Sequence, residues 1–291
     1  MMTMAAMAAD ALGQLLAEDV RRLFGASHHE HAERTDAIAR IALECLGRSD
    51  ALYHNVEHTL LVTLVGRELL RGRTLTERLE PGDYAHLIVA CLLHDIGYVR
   101  GVLKDDREGS FVVDASGRRV SLPRGASDAA LAPYHVDRSK LFVLERFGGS
   151  PTLDAERVAR AIELTRLPAC RAPGEGPEDR EGRLAQAADL IGQLGDPLYL
   201  KKANALFHEF EETGIARRLG YTSAADLGED YVRFFWEKVE PYIGDGLRYL
   251  QLTPEGRQWI ANLYAQLFTV EHRRWRMGPQ PGAATRPAPP A

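Results

Sequence analysis

Cysteine is nearly missing from this chain: three in 291 residues, Cys45, Cys91 and Cys170. Three scattered thiols can neither staple a disulfide framework nor form a zinc knuckle, and they suit a reducing compartment as small buried hydrophobes. Long apolar runs are also missing. None approaches the roughly 20 residues of a membrane span. The start, Met-Met-Thr-Met-Ala-Ala-Met, lacks the basic residues of a signal peptide. Charge of one sign is never concentrated, and the net charge of −5 leaves no basic footprint for nucleic acid. A cytoplasmic protein without membrane or nucleic-acid partners is expected.

The hydrophobic fraction of 45% and charged fraction of 26% are those of an ordinary globular protein with a sizeable core. The apolar positions recur mostly with helical spacing. Leu12, Leu15, Leu16, Val20, Leu23 and Phe24, closed by Gly25, predict a first helix. A second runs from about Glu33 to Gly47, with His28, His29 and His31 read as loop before it. Ser49 or Asp50 is expected to cap a third, carrying Tyr53 to Leu70. The stretch from Asp83 to Val99 is apolar on nearly all sides and should lie centrally.

Residues 101–131 break the helical pattern. Phe111 to Leu122 reads as a small β-hairpin turning at Ser116-Gly117, inserted between helices where it would lid a site. Helices are expected again over 132–147, 153–167, 184–194, 198–219 and 224–243, with a polar loop at 171–182. A last helix opens at Thr253-Pro254-Glu255. The Pro/Gly/Ala-rich tail 278–291 reads as disordered. The fold class is therefore all-α: a single helical domain over 1–277, a hairpin insert at about 101–131, and a C-terminal helical extension at about 198–276. That extension carries Phe234-Phe235-Trp236, Tyr242, Tyr249, Trp259 and Tyr264, which helical spacing assigns mainly to the core and otherwise to a homo-oligomer surface.

Chemistry concentrates in Tyr53-His54-Asn55-Val56-Glu57-His58 and in Leu92-Leu93-His94-Asp95-Ile96-Gly97-Tyr98. His54 and His58, four apart, should share a helical face; His94 and Asp95 are neighbours about 100° apart around a helix. Asp189 stands in Leu184-Ala185-Gln186-Ala187-Ala188-Asp189-Leu190-Ile191-Gly192, with no cation within a turn. Ionisable groups buried among Leu and Ile cost several kcal/mol each unless paired or metal-bound. Together these residues point to a metal centre.

The order His58, His94-Asp95, Asp189 resembles the HD-domain superfamily of metal-dependent phosphohydrolases. The Tyr53-His54-Asn55-x-x-His58 string is similar to its cyclic-nucleotide phosphodiesterase branch. The resemblance covers about residues 50–195. It implies an HD-type helical bundle in which His58, His94, Asp95 and Asp189 bind metal and His54 is the general acid on the leaving oxygen. Asp95, with two oxygens, is placed to bridge two ions. Imidazole and carboxylate ligands suit Fe, Mn, Zn, Co or Ni, one ion or two, with Mg a further candidate at a second site. The chain departs from that branch after His94-Asp95, where Ile96-Gly97-Tyr98-Val99-Arg100 replaces a further His and a Pro-Gly. No cyclic-nucleotide preference is therefore implied.

Pro133-Tyr134-His135-Val136-Asp137-Arg138-Ser139 resembles a later His segment of two-metal HD proteins. His135 and Glu163 are thus the second-site candidates. Arg138, Lys140 and Lys201, with Lys202 beside it, are candidate contacts for a phosphate. The expected function is metal-dependent hydrolysis of a small phosphoester such as a nucleotide. The alternatives are an HD-type di-iron oxygenase and a non-catalytic metal- or nucleotide-binding module.

Overall fold

The computed structural model describes residues 3–167 and 180–273. The expected tail at 278–291, Cys170 and nearly all of the expected loop at 171–182 lie outside those residues.

Apolar spacing produces the opening pair of helices, α1 (Met4–Phe24) and α2 (His29–Leu46), which pack on each other through Leu12, Leu16, Val20, Ile38, Ala42 and Leu43. Gly25 ends α1 at φ 88°, a conformation glycine adopts without strain. α2 begins at His29, earlier than the sequence indicates, so His29 and His31 are helical. Helix α3 (Val56–Thr74) is capped by Asn55, whose side chain accepts from the backbone N–H of Glu57 and His58. The cap therefore lies beyond Ser49 and Asp50, and His54 stands outside the helix that carries His58.

Helix α4 (Pro81–Leu93) opens with a reciprocal cap between Glu80 and Asp83, with proline in its first turn. From Tyr84 to Leu93 every residue is buried, as expected of a helix apolar all round. It ends at Leu93, and a short 3₁₀ turn, Ile96–Tyr98, follows. α3 and α4 both pack against α7 (Arg180–Leu194). Gly192 lets the α7 backbone approach α3, since a Cβ there would lie 2.9 Å from the Val62 backbone.

The hairpin is present but shorter than expected: β1 (Phe111–Val112) pairs antiparallel with β2 (Arg119–Val120), and Gly117 turns it at φ 80°. A 3₁₀ stretch, Asp128–Tyr134, leads into α5 (His135–Phe147), which packs on α6 (Ala155–Glu163). The helix expected over 198–219 is two, α8 (Tyr199–Glu212) and α9 (Ile215–Leu219), separated by Gly214 at φ 72°. The stretch expected to be one helix over 224–243 runs as α10 (Ala224–Phe234), a π-helical turn at Phe235–Val239, and α11 (Glu240–Leu250). Pro241 lies at the joint, where its missing N–H prevents an unbroken α ladder. α12 (Pro254–Arg273) closes the described chain. Phe235 and Tyr249 are in the core, while Trp236 and Tyr264 are exposed. Among the described residues the architecture is all-α with one two-stranded hairpin, and no described helix is long and apolar enough to cross a membrane.

Candidate metal centre

Local structure aims each side chain of the cluster. The Asn55 cap places His58 in the first turn of α3, with its ring buried. His94 follows the last residue of α4, and its Nδ1 lies 2.8 Å from the Cys91 carbonyl. That carbonyl can only accept, so Nδ1 carries a proton and Nε2 is the nitrogen that faces the cluster. Asp95 sits in the turn beyond. The turn is held to α5 by Ser139, whose hydroxyl donates to the His94 carbonyl at 2.7 Å and accepts from the Gly97 N–H at 2.9 Å. Gly97 allows this contact: a Cβ there would fall 2.0 Å from the His135 carbonyl oxygen. Asp189 reaches in from α7.

The sequence-distant groups meet. His58 Nε2 lies 3.3 Å from His94 Nε2, 3.3 Å from Asp95 Oδ2 and 3.3 Å from Asp189 Oδ1. His94 Nε2 lies 3.1 Å from Asp95 Oδ2 and 3.6 Å from Asp189 Oδ1. Donor atoms about 2.1 Å from one ion stand about 3.0 Å apart at right angles and about 3.4 Å apart at tetrahedral angles. Four of the five spacings fall within that range, and the fifth, His94 to Asp189, is 3.6 Å. Asp95 Oδ2 is fully buried and accepts no hydrogen bond, although it faces two imidazole nitrogens. A buried carboxylate oxygen left so is costly, and a cation between it and the nitrogens removes the cost. His58, His94 and Asp95 thus form a buried group able to hold a metal ion. Asp189, 14% exposed against 4% or less for those three, marks the open side.

The same crowding shows in the proton affinities. Burial alone would lower the His94 imidazolium, but Asp95 and Asp189 outweigh it and hold His94 well above its ordinary value. Burial alone would raise Asp95 and Asp189; the facing imidazoles hold both well below the carboxylate range. A divalent cation would take the place of those protons.

Three rings stand beside the cluster. His54 stacks on Tyr98 at 4.7 Å and 10°, and Tyr98 stacks on His135 at 4.6 Å and 24°. Glu209, 4% exposed on α8, organises the first of them: one carboxylate oxygen accepts from the backbone N–H of Tyr53 (2.6 Å) and His54 (3.2 Å), and the other binds His54 Nδ1. Burial alone would lower His54; Glu209, helped by Asp95 and Asp189, raises it to about 9. His54 and His58 do not share a helical face, yet their rings lie 5.4 Å apart, because Glu209 bends the preceding loop over the helix start. Burial lowers His135, and Asp95 only partly offsets it.

The candidate phosphate contacts fare differently. Arg138 is fully buried. Its guanidinium pairs with both oxygens of Asp106 and donates to the carbonyls of Gly97, Val99 and Val112. It ties the hairpin to the Asp95 turn, and the substrate-contact reading is corrected to a structural one. Lys140 binds Asp137 and Glu163, and Glu163 is further held by Arg166. Burial alone would raise Glu163; Arg166 and Lys140 bring it down to about 2. Both expectations, Lys140 on a phosphate and Glu163 on a second ion, give way to this ion-pair network. Lys202 is paired with Glu57 and Asp196 beside a pocket of about 70 Å³ that His58 also lines, whereas Lys201 is exposed.

Glu209 and Tyr98 are the functional neighbours that sequence reasoning missed. Glu209 had one signal: it follows Leu206 by three residues, on the face of α8 that is buried. Tyr98 had none beyond adjacency to His94-Asp95.

A family model described as Npun_R2479-like matches residues 2–273, which include every residue of the cluster. No curated protein and no solved structure matches the chain.

Proposed function

The chain belongs to the Npun_R2479-like family, and we propose that it is a metal-dependent phosphohydrolase of HD type acting on a small phosphoester such as a nucleotide. The observation that carries this reading is the buried group of His58 Nε2, His94 Nε2 and Asp95 Oδ2, 3.1–3.3 Å apart, with Asp189 Oδ1 3.3 Å from His58 Nε2 and 3.6 Å from His94 Nε2. Two imidazole nitrogens and two carboxylates form a donor set whose charge balances that of a divalent ion in a buried site. The donor set suits Fe, Mn, Zn, Co or Ni. Such an ion would supply Lewis acidity toward a phosphoryl oxygen and acidify a water.

The chain's own residues supply the rest. Glu209 holds His54 by Nδ1, so the transferable proton is on Nε2, and the raised proton affinity keeps that proton in place near neutral pH. His54 is therefore suited to protonate a leaving alkoxide. The burial of His58, His94 and Asp95 keeps competing water off the donors. The unpaired Cys45 and Cys91 support a cytoplasmic setting.

The test is direct. Full-length protein is stripped with chelator, reloaded with Mn²⁺, Fe²⁺ or Co²⁺, and assayed on cyclic and linear nucleotides and an aryl phosphodiester. Metal-dependent release that falls about 100-fold or more in His54→Ala supports the reading. Absence of metal binding, or indifference to His54→Ala, removes it.

A further inference from the structure

His135 differs from the other histidines of the site in what its two nitrogens face. Nδ1 lies 2.6 Å from the Ala132 carbonyl, which can only accept, so the ring proton sits on Nδ1 and Nε2 is an acceptor. Nε2 faces Asp95 Oδ1 at 3.7 Å. Two acceptors facing each other need either a cation or a donor with two protons between them. A second ion would require more protein donors. Glu163, the other second-site candidate, is already bound by Lys140 and Arg166, as is Asp137, and those positive charges also oppose a cation. Tyr98, stacked on the opposite ring, fixes the plane of His135. A water satisfies both: an oxygen about 2.8 Å from each acceptor would close a triangle on the 3.7 Å separation, with one proton toward each.

We propose that His135 is a catalytic residue, the acceptor for the proton of the attacking water, paired across the Tyr98 ring with the proton donor His54, and that it is not a ligand to a second ion. This rests on the phosphohydrolase reading. In the step, the water oxygen forms a bond to phosphorus as its proton passes to His135 Nε2. The bond between phosphorus and the leaving oxygen breaks, its electron pair stays on that oxygen, and His54 Nε2 protonates it. The cycle ends with a proton gained by His135 and one lost by His54. Both side chains are partly exposed, at 21% and 16%, so exchange with solvent resets them. The assignment also separates this site from di-iron oxygen chemistry, which needs a second complete ligand set.

The experiment uses the full-length chain. Calorimetric titration of stripped protein with Mn²⁺ should give one ion per chain in the wild type, in His135→Ala and in His135→Gln, with affinities within about threefold. Two ions in the wild type, one of them lost in His135→Ala, overturn the proposal and leave the hydrolase reading standing. No ion in the wild type overturns both. Histidine nitrogen-15 spectra of the metal-free protein should show His135 protonated at Nδ1 and bare at Nε2; the opposite tautomer overturns the assignment. On bis(p-nitrophenyl) phosphate, His135→Ala should lower kcat about 100-fold with KM within about threefold, and added imidazole should restore part of the loss. An unchanged kcat, or a loss that imidazole does not relieve, overturns it.

Discussion

Glu209 on α8 holds the loop before α3 at three points: the backbone N–H of Tyr53, the backbone N–H of His54 and the ring Nδ1 of His54. One carboxylate thereby sets both the path of the loop before α3 and the charge of the ring that ends it.

This latch has a signed pH dependence. His54 is raised from 6.5 to about 9, so its stabilising share is complete below 6.5 and is lost as pH rises through about 9. Glu209 is lowered from 4.5, so its share is present above 4.5 and lost on acidification. The latch is strongest between those two ordinary values. It contributes at most on the order of 3 kcal/mol through the imidazole. Nuclear magnetic resonance titration of metal-free protein should place the His54 midpoint near 9. In Glu209→Gln burial dominates, and the midpoint should fall below 6.5. A His54 midpoint that is the same in both proteins would contradict the latch.

Metal should bind and stabilise through all four cluster residues. At a concentration about 100 times its dissociation constant, an ion specific to the native state adds about 2.7 kcal/mol to stability. Melting temperature should therefore rise with Mn²⁺ or Co²⁺ and return on chelation. Asp189→Asn should weaken the affinity by at least about 100-fold, measured by calorimetry. Equal binding by wild type and Asp189→Asn would exclude Asp189 as a ligand.

Arg138→Met leaves the Asp106 carboxylate buried without its partner. Removing one member of a buried pair costs about 3–5 kcal/mol. Lysine should not rescue it, because no ammonium can span both Asp106 oxygens and three carbonyls. Chemical denaturation measures the loss, and protease cleavage should move to the 101–122 segment. A stable variant with raised KM would restore the substrate-contact reading.

Gly97→Ala should damage the site without touching a ligand. Its Cβ would meet the His135 carbonyl at 2.0 Å, the Ser139 nitrogen at 2.7 Å and the Arg138 Cβ at 2.8 Å. Overpacking of this kind costs about 1–3 kcal/mol. The Asp95 turn must then move off α5, so both melting temperature and metal affinity should fall. A variant with wild-type values of both would show that the turn tolerates the displacement.

The amino-acid sequence by itself determined the helical class, the hairpin turn at Gly117 and the membership of the His58, His94, Asp95 and Asp189 cluster. Apolar period, glycine punctuation and ionisable groups stranded in apolar helices are local properties, readable along the chain. Tertiary structure alone decided what the remaining charges do. Arg138 looked available because its partners lie 26 or more residues away, and the bond that joins Lys140 to Glu163 spans 23 residues, although each also has a partner three residues along, Asp137 and Arg166. Glu209 meets Tyr53 and His54, more than 150 residues away in sequence, only once α8 packs against the loop before α3. A hydrogen bond at such separation leaves no periodic trace in sequence, since its geometry exists only after the helices between its ends have packed.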